Sequence, residues 1–219
     1  MKVYIKALNI KFDLAIDRTN TLIIENPKNY REIILNLLQS YEEDNEDWIF
    51  SENENIYKTS QCVSIITSIF DIEFYNKKLQ KVVLDELYKI AIGEKYYKKT
   101  SKLLSDIESY LYELEWEMDY NLDISFEDFR DILKTGVKNI LEPEEVVERI
   151  LVYIKLAARL MKTKCLIFIG SQKYFTEAEW KMFENAAICE EIYLFCIGNE
   201  EVFASHNKII IDKDWCYVV

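Results

Sequence analysis

The side chains best suited to chemistry lie in one short stretch, Glu117-Met118-Asp119-Tyr120-Asn121-Leu122-Asp123, followed by Glu127 and Asp128. Asp119, Asn121 and Asp123 repeat a hard oxygen donor at every second position, as the opening of a calcium-binding loop does. The rest of that loop is missing. Ile124 stands where glycine would make the sharp turn, and Arg130 where a bidentate glutamate would close the shell. The stretch is no EF-hand, and two readings of it stay open. One is a solvated acidic turn; the other is a divalent-cation site completed by carboxylates from elsewhere in the chain or from another subunit.

Other constellations carry less. His206, the single histidine, has no carboxylate pattern near it, and no Cys or Ser beside it reads as an activated nucleophile. The pattern G-x-x-x-x-G-K-[ST] does not occur. The turn after the first apolar strand, Glu25-Asn26-Pro27-Lys28-Asn29, has no glycine to bend backbone amides around a phosphate. Gly170-Ser171-Gln172-Lys173 also follows a strand and reads as a simple strand-to-helix turn. The cysteines (Cys62, Cys165, Cys189, Cys196, Cys216) are odd in number, with no C-x-x-C pair and four of them in apolar runs. They read as buried, reduced thiols. Carboxylates suffice for a two-metal nuclease, yet they cluster in a helix and turn rather than at strand ends.

The elements that must hold these residues fall into three blocks. Val3-Tyr4-Ile5, Phe12 to Ile16 and Thr21 to Glu25 read as strands, and a helix with apolar residues Tyr30, Ile33, Ile34, Leu37, Leu38 and Tyr41 follows the Asn26-Pro27 turn. The acidic, asparagine-rich stretch from Glu42 to Asn55 reads as a surface segment with one short strand at Trp48-Ile49-Phe50. An apolar passage runs from Cys62 to Phe70. From Asn76 to Asn139 there is no proline and only Gly93 and Gly136, and Leu103, Ile107, Tyr110, Leu111, Leu114 and Met118 mark one face of a long amphipathic helix. A further helix is expected to start at Pro143, with Glu144 and Glu145 in its first turn. The last third alternates again: a strand at Cys165 to Ile169, a helix from Thr176 to Ala187 opened by a capping box, and strands at Ile192 to Ile197, Ile209 to Ile211 and Cys216 to Val219. The simplest architecture is one α/β domain built from residues 1–73 and 141–219, with a helical insertion over 74–140.

Composition bounds what this architecture can do. The 219 residues are 50% hydrophobic and 14% aromatic, enough for a folded core. Four glycines and two prolines make a many-turned β-sandwich improbable. The net charge of −12 excludes a basic monomer that coats nucleic acid. The N-terminus lacks the apolar core of a signal peptide, and no apolar run approaches roughly 18 residues, so a soluble cytoplasmic protein with no membrane partner is expected. The charge is unevenly spread: residues 77–102 carry eight lysines against three acids, and residues 106–148 carry fourteen acids against Arg130, Lys134 and Lys138. A solvated antiparallel pair attracting itself across a hairpin would account for this polarity.

Six segments, in order and over nearly the whole chain, carry a family likeness: Thr21 to Glu25, Leu37 to Asp44, Glu117 to Asp123, Gly136 to Lys138, Leu166 to Phe168, and Ile209 to Asp214. Together they resemble the short form of the type II-A CRISPR-associated adaptation protein, encoded beside the RNA-guided effector nuclease and the integrase. The resemblance implies an α/β head domain of degenerate P-loop or RecA-like type, without working nucleotide-binding residues, and an inserted α-helical leg domain. It further implies a homotetrameric ring that takes double-stranded DNA by its ends, with Ca2+ held by leg carboxylates. Glu117, Asp119 and Asp123 match the family's acidic stretch and become the metal candidates, with Asn121 standing where a carboxylate can occur. Lys138 matches the Gly-Val-Lys segment, and Lys134, one helical turn before it, joins it as a candidate DNA contact. The function this implies is non-catalytic binding of DNA ends in spacer acquisition. Two alternatives stand beside it: a metal-dependent nuclease or nucleotidase, and a scaffold for the integrase and effector that does not touch DNA.

Overall fold

The computed structural model describes residues 1–70, 72, 77–114, 124–137 and 143–218. Among them, seven α-helices and two sheets form a mixed α/β protein. In chain order the elements are β1 (Lys2–Ile5), β2 (Ile10–Asp13), β3 (Asn20–Ile24), α1 (Pro27–Glu43), β4 (Trp48–Glu52), β5 (Asn55–Tyr57), α2 (Thr59–Cys62) and β6 (Val63–Ile66). Then follow α3 (Lys77–Ile92), α4 (Tyr97–Glu113), α5 (Phe126–Val137), α6 (Val146–Arg159), β7 (Cys165–Ile169), α7 (Glu177–Cys189), β8 (Tyr193–Gly198), β9 (Asn207–Ile211) and β10 (Tyr217–Val218). The chain divides into two compact units, one of Met1–Ile72 with Pro143–Val219 and one of Glu73–Glu142.

The first unit is built on a six-stranded sheet of order β10-β9-β3-β8-β7-β6, parallel except for β10. Strand β3 is buried at every position, which explains why Leu22 to Ile24 run apolar without alternation: both faces are covered. A second sheet, β2-β1-β4-β5, is wholly antiparallel. Phe195 of β8 ties the two sheets together. Its ring meets Phe12 edge-on at 5.5 Å and Trp48 at 6.5 Å, and Ile33 and Leu37 of α1 join the same core. Ile150 and Ile154 of α6 are buried too, and on α7 Trp180 packs on Phe168 at 5.3 Å.

Several sequence expectations need correction. Trp48 and Phe50 belong to no surface segment; they are 1% and 0% exposed at the centre of the small sheet. Their acidic neighbours mask two apolar positions at strand period, and the sheet itself, formed by strands from either side of β3, has no local signature. Helix α6 begins at Val146 rather than Pro143, because Glu145 is still extended (φ −77°, ψ 131°). Cys189 and Cys216 are exposed, whereas Cys62, Cys165 and Cys196 are buried. Burial pushes the Cys62 thiol up to about 11 and raises the other two well above the ordinary thiol value, away from the reactive thiolate.

In the second unit the described residues form α3, α4 and α5. Leu84, Leu104 and Phe129 are its buried apolar residues among those described, one from each helix. Thr100 donates from Oγ1 to the Ala91 carbonyl at 2.8 Å across the α3–α4 turn, and Tyr97 stacks on Phe126 at 5.0 Å. Arg130 of α5 bonds Asp85 of α3 and lies over the Tyr88 ring.

Candidate functional site

The metal candidates Glu117, Asp119 and Asp123 lie outside the described residues, as does Lys138. Among the described residues no group of three metal-ligating side chains comes together. The acids that follow the candidate stretch are described, and one of them already has a task. Ser125 donates from its amide and its hydroxyl to Asp128 Oδ2 at 2.8 and 2.7 Å, and the Asp128 amide returns a bond to Ser125 Oγ. This reciprocal cap opens α5 and holds the Asp128 carboxyl below its ordinary value, through the Ser125 bonds. The Ser-x-x-Asp spacing is itself a capping signature that the sequence displays. Glu127, beside it, is exposed.

Lys134 is exposed in the last turn of α5, where a cation also offsets the negative end of the helix dipole. The sequence expectation that lysines and acids neutralise each other in this region finds one cross-helix pair in the described residues, Arg130 with Asp85. The lysines behave otherwise. In the first unit seven of twelve lysines sit within 4 Å of a carboxylate. In the second, of seven lysines with described side chains, only Lys89 does, against Glu86 on its own helix. Lys95, Lys98, Lys99 and Lys102 are all exposed around the α3–α4 turn and the start of α4. That helix has no side-chain cap and no acid in its first turn, so the positive end of its dipole adds to the lysines. Charge counting found this imbalance; it did not find that most of these lysines have no carboxylate within ion-pair distance among the described residues.

The same unit carries a groove of about 590 Å³, walled by Leu87 and Ile90 of α3, Tyr96 and Leu103 at α4, and Phe129 and Leu133 of α5. Lys99, Lys102 and Asp106 are the charged groups on its lining.

In the first unit, a short turn joins the buried strand β3 to helix α1. Its amides are already used: Asn26 Oδ1 accepts from Lys28 N at 3.0 Å and Asn29 N at 3.4 Å, and Pro27 has no amide hydrogen to offer. Facing it, Gly170 adopts φ +59°, and a β-carbon there would lie 3.2 Å from the Tyr30 hydroxyl. The Gly170 turn thus needs glycine for conformation as well as for space.

A polar cleft of about 400 Å³ elsewhere in this unit includes His206, Trp180, Thr19 and Glu184. Four of its charged groups pair with one another, Arg18 with Asp17 and Lys181 with Glu184. Glu184 accepts from Thr19 N at 2.7 Å, from Thr19 Oγ1 at 3.1 Å and from Lys181. Burial raises the Glu184 carboxyl and these bonds lower it further, for a net downward shift. Ser205 Oγ donates to the Thr19 carbonyl, so the serine next to the histidine is engaged with backbone. No helix among the described residues is long and apolar enough to cross a membrane.

Against known proteins, no curated sequence matches the chain. Residues 40–215, which span the small sheet's β4 through the last turn before β10, match the model of a family described as CRISPR-associated protein (Cas_Csn2). That match covers most of both units, and it takes in whole the last four of the six segments that carry the likeness. The chain belongs to the CRISPR-associated Cas_Csn2 family, whose role is in CRISPR adaptation.

Proposed function

We propose that the protein is a non-catalytic, calcium-assisted binder of double-stranded DNA ends, acting as a homotetrameric ring beside the integrase and the RNA-guided effector nuclease in spacer acquisition. The observation that carries this reading is that six of the seven described lysines of the helical unit have no carboxylate within ion-pair distance among the described residues, in a chain of net charge −12 where carboxylates outnumber lysines. Lys95, Lys98 and Lys134, joined by Lys138, are the DNA contacts in this reading. A few lysines per chain hold DNA weakly, but four copies facing one channel sum to a many-phosphate contact with steep salt dependence and no base readout. Tyr110, Tyr112 and Leu114 support association of copies. They are more than half exposed along α4, apolar area that a neighbouring subunit would remove from water.

In this reading the first unit is the degenerate P-loop or RecA-like head and the second the leg. The strand–turn–helix of β3 and α1 supports it, and its self-capped amides fit a head that holds no nucleotide. Glu117, Asp119 and Asp123 would hold the calcium ion; carboxylate oxygens are the hard donors this cation takes. Bound there, it lowers the repulsion among the fourteen acids of residues 106–148.

Gel-shift titration of a linear duplex tests the lysine assignment. The triple variant Lys95→Glu, Lys98→Glu, Lys134→Glu is expected to bind at least tenfold more weakly, and with a flatter salt dependence, by about one unit of slope for each phosphate no longer neutralised. Unchanged affinity and slope would remove these lysines from the site. Metal-dependent DNA cleavage or ATP turnover, lost in Asp119→Ala with Asp123→Ala, would instead make the carboxylates those of an enzyme.

A further inference from the structure

The groove of the helical unit is not explained by DNA binding, because its walls are apolar. Leu87, Ile90 and Leu103 are 40%, 48% and 45% exposed, and all three face this one depression. Large apolar side chains gathered at one concave place mark a surface that another molecule covers. Phosphate backbone offers nothing to such a surface. Its charged rim narrows the choice of occupant: Lys99 and Lys102, one helical turn apart on α4, have no carboxylate within ion-pair distance among the described residues, and Asp106 is the single acid on the lining. Lys95 and Lys98 lie just before them in sequence and reinforce the positive sign.

The dimensions fit a helix. From the N-cap Tyr96 to Asp106 the α4 wall advances by ten residue steps, about 15 Å at 1.5 Å per residue, which matches roughly three turns of a partner presenting apolar anchors at i, i+3 or i+4, and i+7. We propose that this groove docks an amphipathic helix of a partner protein, its apolar face on Leu87, Ile90, Leu103 and Leu133 and its flanking acids on Lys99 and Lys102. The apolar floor would supply affinity and the lysine rim would select for acidic partners and set the helix's rotation in the groove.

The test uses the full-length protein and three fluorescein-labelled 14-residue peptides: one with leucines at helical spacing flanked by glutamates, a scrambled version, and one with every glutamate replaced by lysine. Fluorescence anisotropy is expected to give saturable binding of the acidic amphipathic peptide, at least tenfold weakening for the scrambled and basic peptides, and a reversal of that preference in Lys99→Glu with Lys102→Glu. Leu103→Asp, at a half-exposed position, is expected to abolish binding while leaving the circular dichroism spectrum intact. Failure of the acidic peptide to bind the folded protein overturns the proposal, as does binding indifferent to peptide charge or to the rim reversal. So does a change of oligomeric state in Leu103→Asp, which would assign the groove to a second copy of this chain.

Discussion

Glu184 ties helix α7 to the entry of β3 through one side chain. Its carboxylate is mostly buried and holds the Thr19 amide and hydroxyl at the entry to β3, and Thr19 Oγ1 in turn accepts the Trp180 indole N–H at 3.0 Å. The net downward shift of its titration means that the native state favours the charged form. The stability this confers is full above the ordinary glutamate range, near 4.3, and is lost as pH falls through the lower native value. Glu184→Gln keeps the shape but weakens the charge-assisted bonds. It is expected to lower unfolding free energy at pH 7 by about 1–2 kcal/mol, with the gap to wild type closing below pH 4 in urea titrations at several pH values. An equal gap at all pH values would show that the charge at Glu184 contributes nothing. The residue scale is also where sequence reading was weakest. Nothing in the order Thr19, Trp180, Glu184 announces a hydrogen-bonded chain between positions more than 160 residues apart, since it exists only once the segment leading into β3 meets α7.

At the scale of elements, the parallel sheet was legible because strands covered on both faces run apolar without alternation: Cys165 to Phe168 and Leu22 to Ile24 are so in sequence and buried in structure. Helix α7 was legible for its capping box, Thr176 with Glu179, which the structure forms in full. The antiparallel second sheet was not, since its strands come from either side of β3 and its central strand β4 sits among acids. Yet that sheet belongs to the same core, and at its junction with the parallel sheet Phe195 packs against Phe12 and Trp48. Phe195→Ala would leave a cavity between two sheets that cannot both collapse onto it. The expected loss is about 3–5 kcal/mol, read by chemical denaturation, with Trp48 fluorescence shifting to the red in the native baseline as water reaches the indole. A loss under about 1 kcal/mol, the range of a surface substitution, would mean that the two sheets are not joined through this ring. The candidate site was legible in part. Charge counting found the lysine-rich turn, but only side-chain geometry reveals that Lys98, Lys99 and Lys102 face no carboxylate among the described residues and that two of them rim an apolar groove.

For the whole molecule, a chain of net charge −12 is an improbable partner for DNA as a monomer. The charge is partitioned, however. The first unit pairs most of its lysines internally, while the helical unit leaves most of its described lysines free. Free lysines on an acidic subunit become effective when several copies present them to one duplex, and a closed assembly then imposes a topological requirement that a simple basic patch does not: DNA must enter by an end. Membership in the Cas_Csn2 family places the chain in CRISPR adaptation, the setting of the proposed ring. The most direct measurement compares one plasmid sequence, supplied as a linear duplex and as a covalently closed circle, in gel shift with calcium and with a chelator. The linear form is expected to shift with calcium and to be released by chelation or high salt, while the closed circle does not bind. Equal binding of the closed circle, or binding indifferent to calcium, would contradict the calcium-assisted ring.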